Sequence, residues 1–526
     1  MAADGSARDF ADVVAYLSDP ATHGVPAAAV AAPIETHGAV VVLAGDRAYK
    51  LKKPVAFAYM DLSTLARRLA ICRREVVINR RTAAEYYLGV GGVVRDRAGR
   101  RRLLEDLKDR KPAERLEEPV VVMRRFDNAR LLDRLVRRDG SLSPELCEGL
   151  ARRIAAFHEA APRRRARTGV ARVAEVLAIN RTQIEAAVPA VFDAGSAEAV
   201  IIATEQAAVR LSDVLDRRAR AGRVRRCHGD LHLRNVFLED DGTPVLFDAI
   251  EFNENLATSD VAYDLAFLLM DLLHRGLRVE ANRIWNIWLA ATGDDGAGTV
   301  MGLFLSMRAA VRAHVGATRA MQHPDDAAIA EEARAYLTLA RDFLNARAPI
   351  VVAIGGLSGT GKTTLARALA PYLGSPPGAV VLRSDVIRKR QWGAEETEKL
   401  PQEAYTAAAS RRVFAEIHRR ARSIAASGCA VVADAVYGRA EDRQRIQAAA
   451  RRAGMSFLGV WLELPVTEAQ ARVATRQGDA SDATPMIVAR QAEGIVAPAG
   501  WLRLDAGRGV GALVENVRAC LADLKP

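Results

Sequence analysis

The run Gly356-Leu-Ser358-Gly359-Thr360-Gly361-Lys362-Thr363-Thr364 fits GxxxxGK[ST] at every fixed position. Glycines at this spacing let backbone N–H groups turn inward around a phosphate, and the N-terminus of a following helix adds to that cradle. Lys362 is expected to reach the β- and γ-phosphates of ATP, and the Thr363 hydroxyl to bind Mg2+. The competing reading is an accidental glycine-rich turn. The buried-looking strand before the run and the helix pattern after it argue against that reading.

Three further features separate group transfer from a simple nucleotide grip. Ser384-Asp385-Val-Ile-Arg388 follows the next strand-like run, at the rim where ligands bind in open parallel sheets. Asp385 is expected to take a proton from an acceptor hydroxyl or to orient it, with Arg388 one turn later on the same face for acceptor binding. Alone, Asp385 would read as a helix N-cap. Asp434 ends the apolar run Cys429–Ala433, where a carboxylate holding Mg2+ directly or through water belongs. Arg472 and Arg476 fall at i and i+4 on an expected helix before the loop Gly478-Asp-Ala-Ser481-Asp482, and are expected to close over the phosphates of ATP. Alone, they would read as surface charge.

A second constellation lies earlier. His228-Gly-Asp230-Leu-His-Leu-Arg-Asn235 fits HxDxxxxN, and the short run Val245–Phe247 then delivers Asp248. The spacing brackets a loop, so that Asp230 meets an acceptor hydroxyl while Asn235 and Asp248 hold Mg2+. His228 reads as a core histidine that props the loop.

These residues need scaffolds. An alternating stretch, Ala39–Leu43 and Ala48–Leu51 about Gly45-Asp46, predicts a β-hairpin. Helical periodicity runs from Thr64 to about Leu88, opened by Asp61-Leu-Ser63-Thr64. Strands are expected at Val90–Arg95, Arg102–Leu107 and Val120–Met123, and the chain is then mostly helical to Asn345. From Pro349, strand-like runs at Ile350–Ile354, Val380–Arg383, Ala430–Ala433 and Phe457–Leu462 alternate with helices, which predicts a parallel sheet with crossovers. The expected organisation is a small lobe over 1–126, a helical lobe over 127–346 and a nucleotide-binding region over 349–526. The fold class is α+β with two lobes, of protein-kinase type, followed by a three-layer α/β P-loop domain with a parallel sheet.

The motifs of 349–526 resemble the small P-loop kinases grouped with polynucleotide 5′-kinases, zeta toxins and gluconate kinases. The resemblance implies phosphoryl transfer from ATP to a hydroxyl, with Asp385 as base. Residues 30–345 resemble the aminoglycoside phosphotransferase and choline kinase superfamily, and Asp260 and Asp264 match its acidic helix start. That resemblance implies that Lys50, in Ala48-Tyr-Lys50, grips the α- and β-phosphates of ATP, with Lys52 on the same strand face as the alternative and Glu75 as ion-pair partner. Two departures stand out: no G-x-G-x-x-G loop accompanies the hairpin, and Asp248-Ala-Ile-Glu251 replaces D-F-G, leaving Glu251 as a further metal ligand. The order of the two regions resembles bacterial fusions of a phosphotransferase-like domain with a P-loop kinase domain.

Composition bounds the partners. The net charge is +11, yet only nine of the 75 basic residues are lysine. That bias, with no aromatics interleaved among the clusters Arg95–Arg102, Arg163–Arg167 and Arg217–Arg226, reads as solvated surface in preference to a nucleic-acid platform. Five scattered cysteines without a CxxC pair, no apolar span and a polar N-terminus predict a cytoplasmic protein. The expected partners are ATP and small-molecule hydroxyl acceptors, with Mg2+ as cofactor. The rival reading is a polynucleotide 5′-hydroxyl kinase, or a toxin-like kinase gated by a nucleotide-binding N-terminal region.

Overall fold

The computed structural model describes residues 2–36, 38–57, 60–164, 169–476 and 479–523. Gly478 and most of the Arg163–Arg167 cluster lie outside the described residues. By compactness the chain forms two units, Met1–Arg172 with Asp216–Leu268, and Val173–Leu215 with Leu269–Pro526.

The first unit is built on a six-stranded antiparallel sheet. Its strands are β1 (Ile34–Glu35), β2 (Ala39–Ala44), β3 (Arg47–Lys52), β4 (Tyr87–Arg95), β5 (Arg101–Leu104) and β6 (Arg115–Arg124), in the order β1-β2-β3-β6-β4-β5. Val-rich β2 suits a pleated, half-buried surface, and Gly45-Asp46 closes the β2–β3 hairpin in register, with Val41 opposite Lys50. Helix α1 (Leu65–Ala83) packs against β4 and β6 and is capped by the Thr64 hydroxyl, which accepts from Arg67 N–H at 3.3 Å. It stops short of the expected Leu88. Tyr87 already pairs with Met123 in the sheet and is fully buried, so tertiary pairing overrides helical periodicity there. Strands β7 (Val236–Leu238) and β8 (Pro244–Leu246) form the antiparallel pair that carries the HxDxxxxN loop and Asp248 at their ends.

The second unit contains a five-stranded parallel sheet flanked by helices. Its elements are α2 (Arg278–Thr292), α3 (Gly298–Gln322), β9 (Ile350–Gly356), α4 (Lys362–Leu369), β10 (Val380–Arg383), α5 (Ser384–Gln391), α6 (Ala407–Ala426), β11 (Val431–Asp434), α7 (Ala440–Arg452), β12 (Ser456–Glu463), α8 (Val466–Ala474), α9 (Pro485–Gly494), β13 (Leu502–Asp505) and α10 (Val510–Asp523). The sheet order is β10-β11-β9-β12-β13. Ile350, Val352 and Ile354 point to a core with Leu365 and Leu369 of α4 and Leu513 and Val517 of α10. Helices α6 and α7 contact the sheet as well, giving the α/β three-layer arrangement. The fifth strand was not foreseen: Leu-Arg-Leu-Asp is too short and too mixed to carry a strand signal of its own. Helices α2 and α3 precede the expected boundary at 346–349, yet are compact with this sheet.

Candidate active sites

In the first unit, Lys50 and Lys52 of β3 and Glu75 of α1 meet Asp248 and Glu251, which follow β8, in one cluster of five charges. Lys50 Nζ donates to Glu75 Oε1 at 2.7 Å and also to Asp248 Oδ1. Lys52 Nζ lies 2.6 Å from Glu75 Oε2 and 2.6 Å from Glu251 Oε1. Burial works against the Lys50 charge, but Asp248 and Glu75 hold its pKa well above that of free lysine. Burial also opposes the Glu75 charge, yet Lys50 and Lys52 draw its pKa down to about 2. Glu251 is pushed up by burial, against the pull of Lys52. Lys50 and Lys52 thus share Glu75, and Lys50 is the one that reaches Asp248.

The HxDxxxxN loop sits on a separate hydrogen-bond frame. Asn235 Nδ2 donates to the Asp230 carbonyl at 2.9 Å and to its Oδ2 at 2.8 Å. Asp264 accepts from the N–H groups of His228 at 3.1 Å and Gly229 at 2.7 Å, and its Oδ2 lies 3.0 Å from His158 Nε2. His228 is fully buried, and burial lowers its pKa; its Nε2 lies 2.9 Å from the Phe247 carbonyl. Asp260 takes a bidentate bond from Arg218 at 2.7 and 2.8 Å. Both acids therefore act as frame. His158, Cys227 and Asp264 are near enough to hold a metal, but Asp264 is already engaged by the loop N–H groups and His158.

Asp248 adopts φ 62°, a left-handed conformation that a non-glycine residue holds only when its surroundings enforce it. Those surroundings are Tyr87 and Asn79, absent from the sequence-based site. The Tyr87 hydroxyl accepts from Asp248 N–H at 3.2 Å, and Asn79 Oδ1 accepts from Ala249 N–H at 2.8 Å. No spacing rule links α1 and β4 to residue 248, so only the fold reveals them.

In the second unit, the glycine-rich run forms the turn between β9 and α4. Gly359 has φ 86°, and a Cβ there would come within 2.5 Å of the Ala469 carbonyl, so only glycine fits. Lys362 Nζ donates to the Leu357 carbonyl at 2.7 Å, and burial lowers its pKa. Thr360 Oγ1 also bonds Leu357 O, at 2.9 Å, while Thr364 is exposed on the first turn of α4. Ser358 N–H donates to Gln491 Oε1 of α9 at 2.8 Å, a partner that the sequence did not suggest. Thr363 Oγ1 donates to Asp434 Oδ2 at 2.6 Å. A hydroxyl and a carboxylate together make a hard-oxygen donor set of the kind Mg2+ takes.

Asp385 lies in the first turn of α5. Burial raises its pKa and Asp434 adds to this, while Lys362, Arg383 and a hydrogen bond with Ser481 pull the other way. Asp385, Asp434 and Lys362 thus feel one another's charges in one site. The expected lid residues behave differently from the sequence reading. Helix α8 ends at Ala474, because its last turn tightens, with Arg476 N–H bonding the Val473 carbonyl. Arg476 is therefore off the helix, with Nε 3.4 Å from Asp479 Oδ2, and Arg472 turns to the Ala506 carbonyl at 3.4 Å. Arg388 is buried, donates to the Ala404 carbonyl at 2.6 Å and lies 4.8 Å over the Tyr405 ring. It braces the loop after α5 in place of presenting a free guanidinium.

The model of the phosphotransferase enzyme family matches residues 97–297, and that of the AAA domain matches 351–498. The uncharacterized protein Rv2004c of Mycobacterium tuberculosis is 30% identical over 462 residues, which cover 86% of this chain and 88% of that one. An uncharacterized protein of Mycobacterium bovis matches to the same extent. Among solved structures, a gluconokinase from Sinorhizobium meliloti 1021 is 22% identical, with TM-score 0.26, over 34% of this chain and 94% of that one. A choline/ethanolamine kinase family protein from Mesorhizobium loti is 13% identical, with TM-score 0.34, over 64% and 95%. The chain belongs to one family with the mycobacterial proteins, and in it a kinase-like phosphotransferase region is followed by a P-loop kinase-type region.

Proposed function

We propose that the chain is a bifunctional ATP-dependent phosphotransferase whose two sites each move the γ-phosphate of ATP to a hydroxyl of a small molecule. The observation that carries this reading is that each site sets a half-buried, internally bonded lysine near hydroxyl, amide or carboxylate oxygens suited to a cation, with a further carboxylate for the acceptor. In the first site these are Lys50, Asn235 with Asp248, and Asp230; in the second, Lys362, Thr363 with Asp434, and Asp385. We place the first site on a small lobe over 1–126 and a helical lobe over 127–346, and the nucleotide-binding core of the second over 349–526.

In each site the acceptor carboxylate orients the hydroxyl and takes its proton as the O–P bond forms. Burial raises the pKa of Asp385, which makes it a better proton acceptor than an exposed carboxylate. Mg2+, held by Asn235 and Asp248 or by Thr363 and Asp434, would neutralise charge on the phosphates. Lys50, freed from Asp248 when phosphates enter, keeps Glu75 as its anchor. Glycines 356, 359 and 361 with Ser358, Thr360 and Thr364 line the second cradle, and Arg476 is the lid cation whose charge acts on Lys362.

A nucleic-acid acceptor is less well supported. Arg95 and Arg101 pair with Glu117, Arg102 with Glu114, and Arg218 with Asp260, so several of the clustered arginines are engaged by carboxylates within the fold. Five unpaired cysteines, three of them buried, suit a reducing cytoplasm. Among the described residues no helix is long and apolar enough to cross a membrane.

The test is a phosphoryl-acceptor screen with γ-labelled ATP on the wild type, Asp230→Asn and Asp385→Asn. Two acceptors, each lost in one variant only, are expected. One acceptor lost in both variants would sink the two-site reading.

A further inference from the structure

Strand β10 is the edge of the parallel sheet, and its last residue, Arg383, leads straight into Ser384-Asp385. An edge strand normally leaves one row of N–H and C=O groups open. Here helix α2 covers the start of that row. Asn286 Oδ1 accepts from Val381 N–H at 2.7 Å, and its Nδ2 donates to the Ala379 carbonyl at 3.1 Å. One side-chain amide thus matches donor and acceptor as a neighbouring strand would. One turn earlier, Asn282 Nδ2 donates to the carbonyls of Pro377 and Ala379, both at 3.0 Å, and Asn286 Nδ2 lies 3.2 Å from Asn282 Oδ1.

The approach is too close to be casual. Gly378 has φ 102°, and a Cβ there would come within 2.8 Å of Asn282 Nδ2. The adjacent strand is approached as well. Gly298, at the start of α3, would bring a Cβ within 2.1 Å of Cys429 Sγ, two residues before β11. Between α2 and α3, Asp295 takes a bidentate bond from Arg420 of α6 at 2.5 and 3.0 Å, both side chains being 12% exposed. The strands that deliver Asp385 and Asp434 are therefore gripped by a segment that precedes the AAA-domain match at 351–498.

We propose that Asn282 and Asn286 are positioning residues for the P-loop site, which clamp β10 so that Asp385 stays beside Lys362 and Asp434. The competent unit of that site then starts before residue 349. The proposal rests on Asp385 being the acceptor carboxylate, and the experiment separates the two ideas.

The test uses the full chain carrying Asp230→Asn, so that Mg-ATP turnover with water as acceptor reports the P-loop site. Against this parent are set Asn282→Ala/Asn286→Ala and, separately, Asp385→Asn. The clamp variant is expected to exchange amides across 380–388 at least ~10-fold faster and to lose ~10-fold or more in kcat, with KM for ATP within a factor of ~2. Exchange and kcat at the parent's values overturn the clamp. So does a fall in kcat joined to a large rise in KM with fast exchange throughout β9 to β13, which marks general loosening. If Asp385→Asn keeps kcat, the role given to Asp385 fails, whatever the clamp does. If Asp385→Asn loses kcat while the clamp variant matches the parent, the clamp alone fails. Where turnover with water is too slow to measure, the exchange across 380–388 decides.

Discussion

Glu75→Gln removes one charge from the buried cluster of the first unit while keeping the shape of the side chain. Glu75 is fully buried and shared by Lys50 and Lys52. Its pKa falls from 4.5 to about 2 in the fold. At ~1.4 kcal/mol per unit, that depression corresponds to ~3 kcal/mol of stability at neutral pH. Breaking a buried pair by removing one partner costs about 3–5 kcal/mol. Lys50 keeps Asp248 and Lys52 keeps Glu251, which places this substitution at the low end. The sign follows from a depressed folded-state pKa: the contribution is complete above about 4.5 and is lost as pH falls toward about 2. The deficit of the variant should therefore shrink in acid. All five tryptophans (Trp285, Trp288, Trp392, Trp461, Trp501) lie outside the first unit, so their fluorescence reports only the second. The assay is hydrogen exchange of β3 and α1 under increasing denaturant, with tryptophan fluorescence as control. The expected result is a ~3 kcal/mol loss in the first unit, with the fluorescence transition unmoved. A loss below ~1 kcal/mol at neutral pH would refute the reasoning, because exposed pairs reach that figure.

Two further outcomes are expected. In the Asp230→Asn chain, kcat should rise with pH along an acid limb displaced above the ordinary carboxylate range, because burial raises Asp385 and its deprotonated form is the active one. Asp385→Asn should remove that limb while ATP binding persists; a limb at the ordinary Asp value, or one unaffected by the substitution, would contradict the assignment. Single-stranded RNA or DNA should bind weakly and without steep salt dependence, since several of the clustered arginines pair with carboxylates of the chain; submicromolar, salt-sensitive binding would restore the nucleic-acid reading.

What could be read from the sequence divides by range. The GxxxxGK[ST] cradle is local, so its strand, turn and helix were all legible, as was the pairing of Thr363 with Asp434 in one site. The roles of Asp230, Asn235 and Asp248 were framed by spacing, and the structure joins Asn235 to Asp230 and Asp248 to Lys50. Lys50 and Lys52 could not be separated, because strand alternation puts both on one face, and the structure has both on Glu75. Tyr87, Asn79, Gln491 and the Asn282–Asn286 pair were invisible, since each acts on backbone groups far away in sequence and side-chain type alone carries no sign of it. Arg388 and Arg472 were misjudged for the opposite reason. Helical spacing put Arg388 on the face of Asp385 and Arg472 on that of Arg476, but buried carbonyls take their guanidinium groups.

The central claim is that two independent Mg-ATP sites share this chain. Equilibrium titration of the full chain with a non-hydrolysable ATP analogue and Mg2+ tests it most directly. The account predicts two sites per chain, one remaining in Lys362→Ala, one remaining in Asp248→Ala, and none in the double variant. A single site in the wild type, or loss of both sites in either single variant, would contradict it.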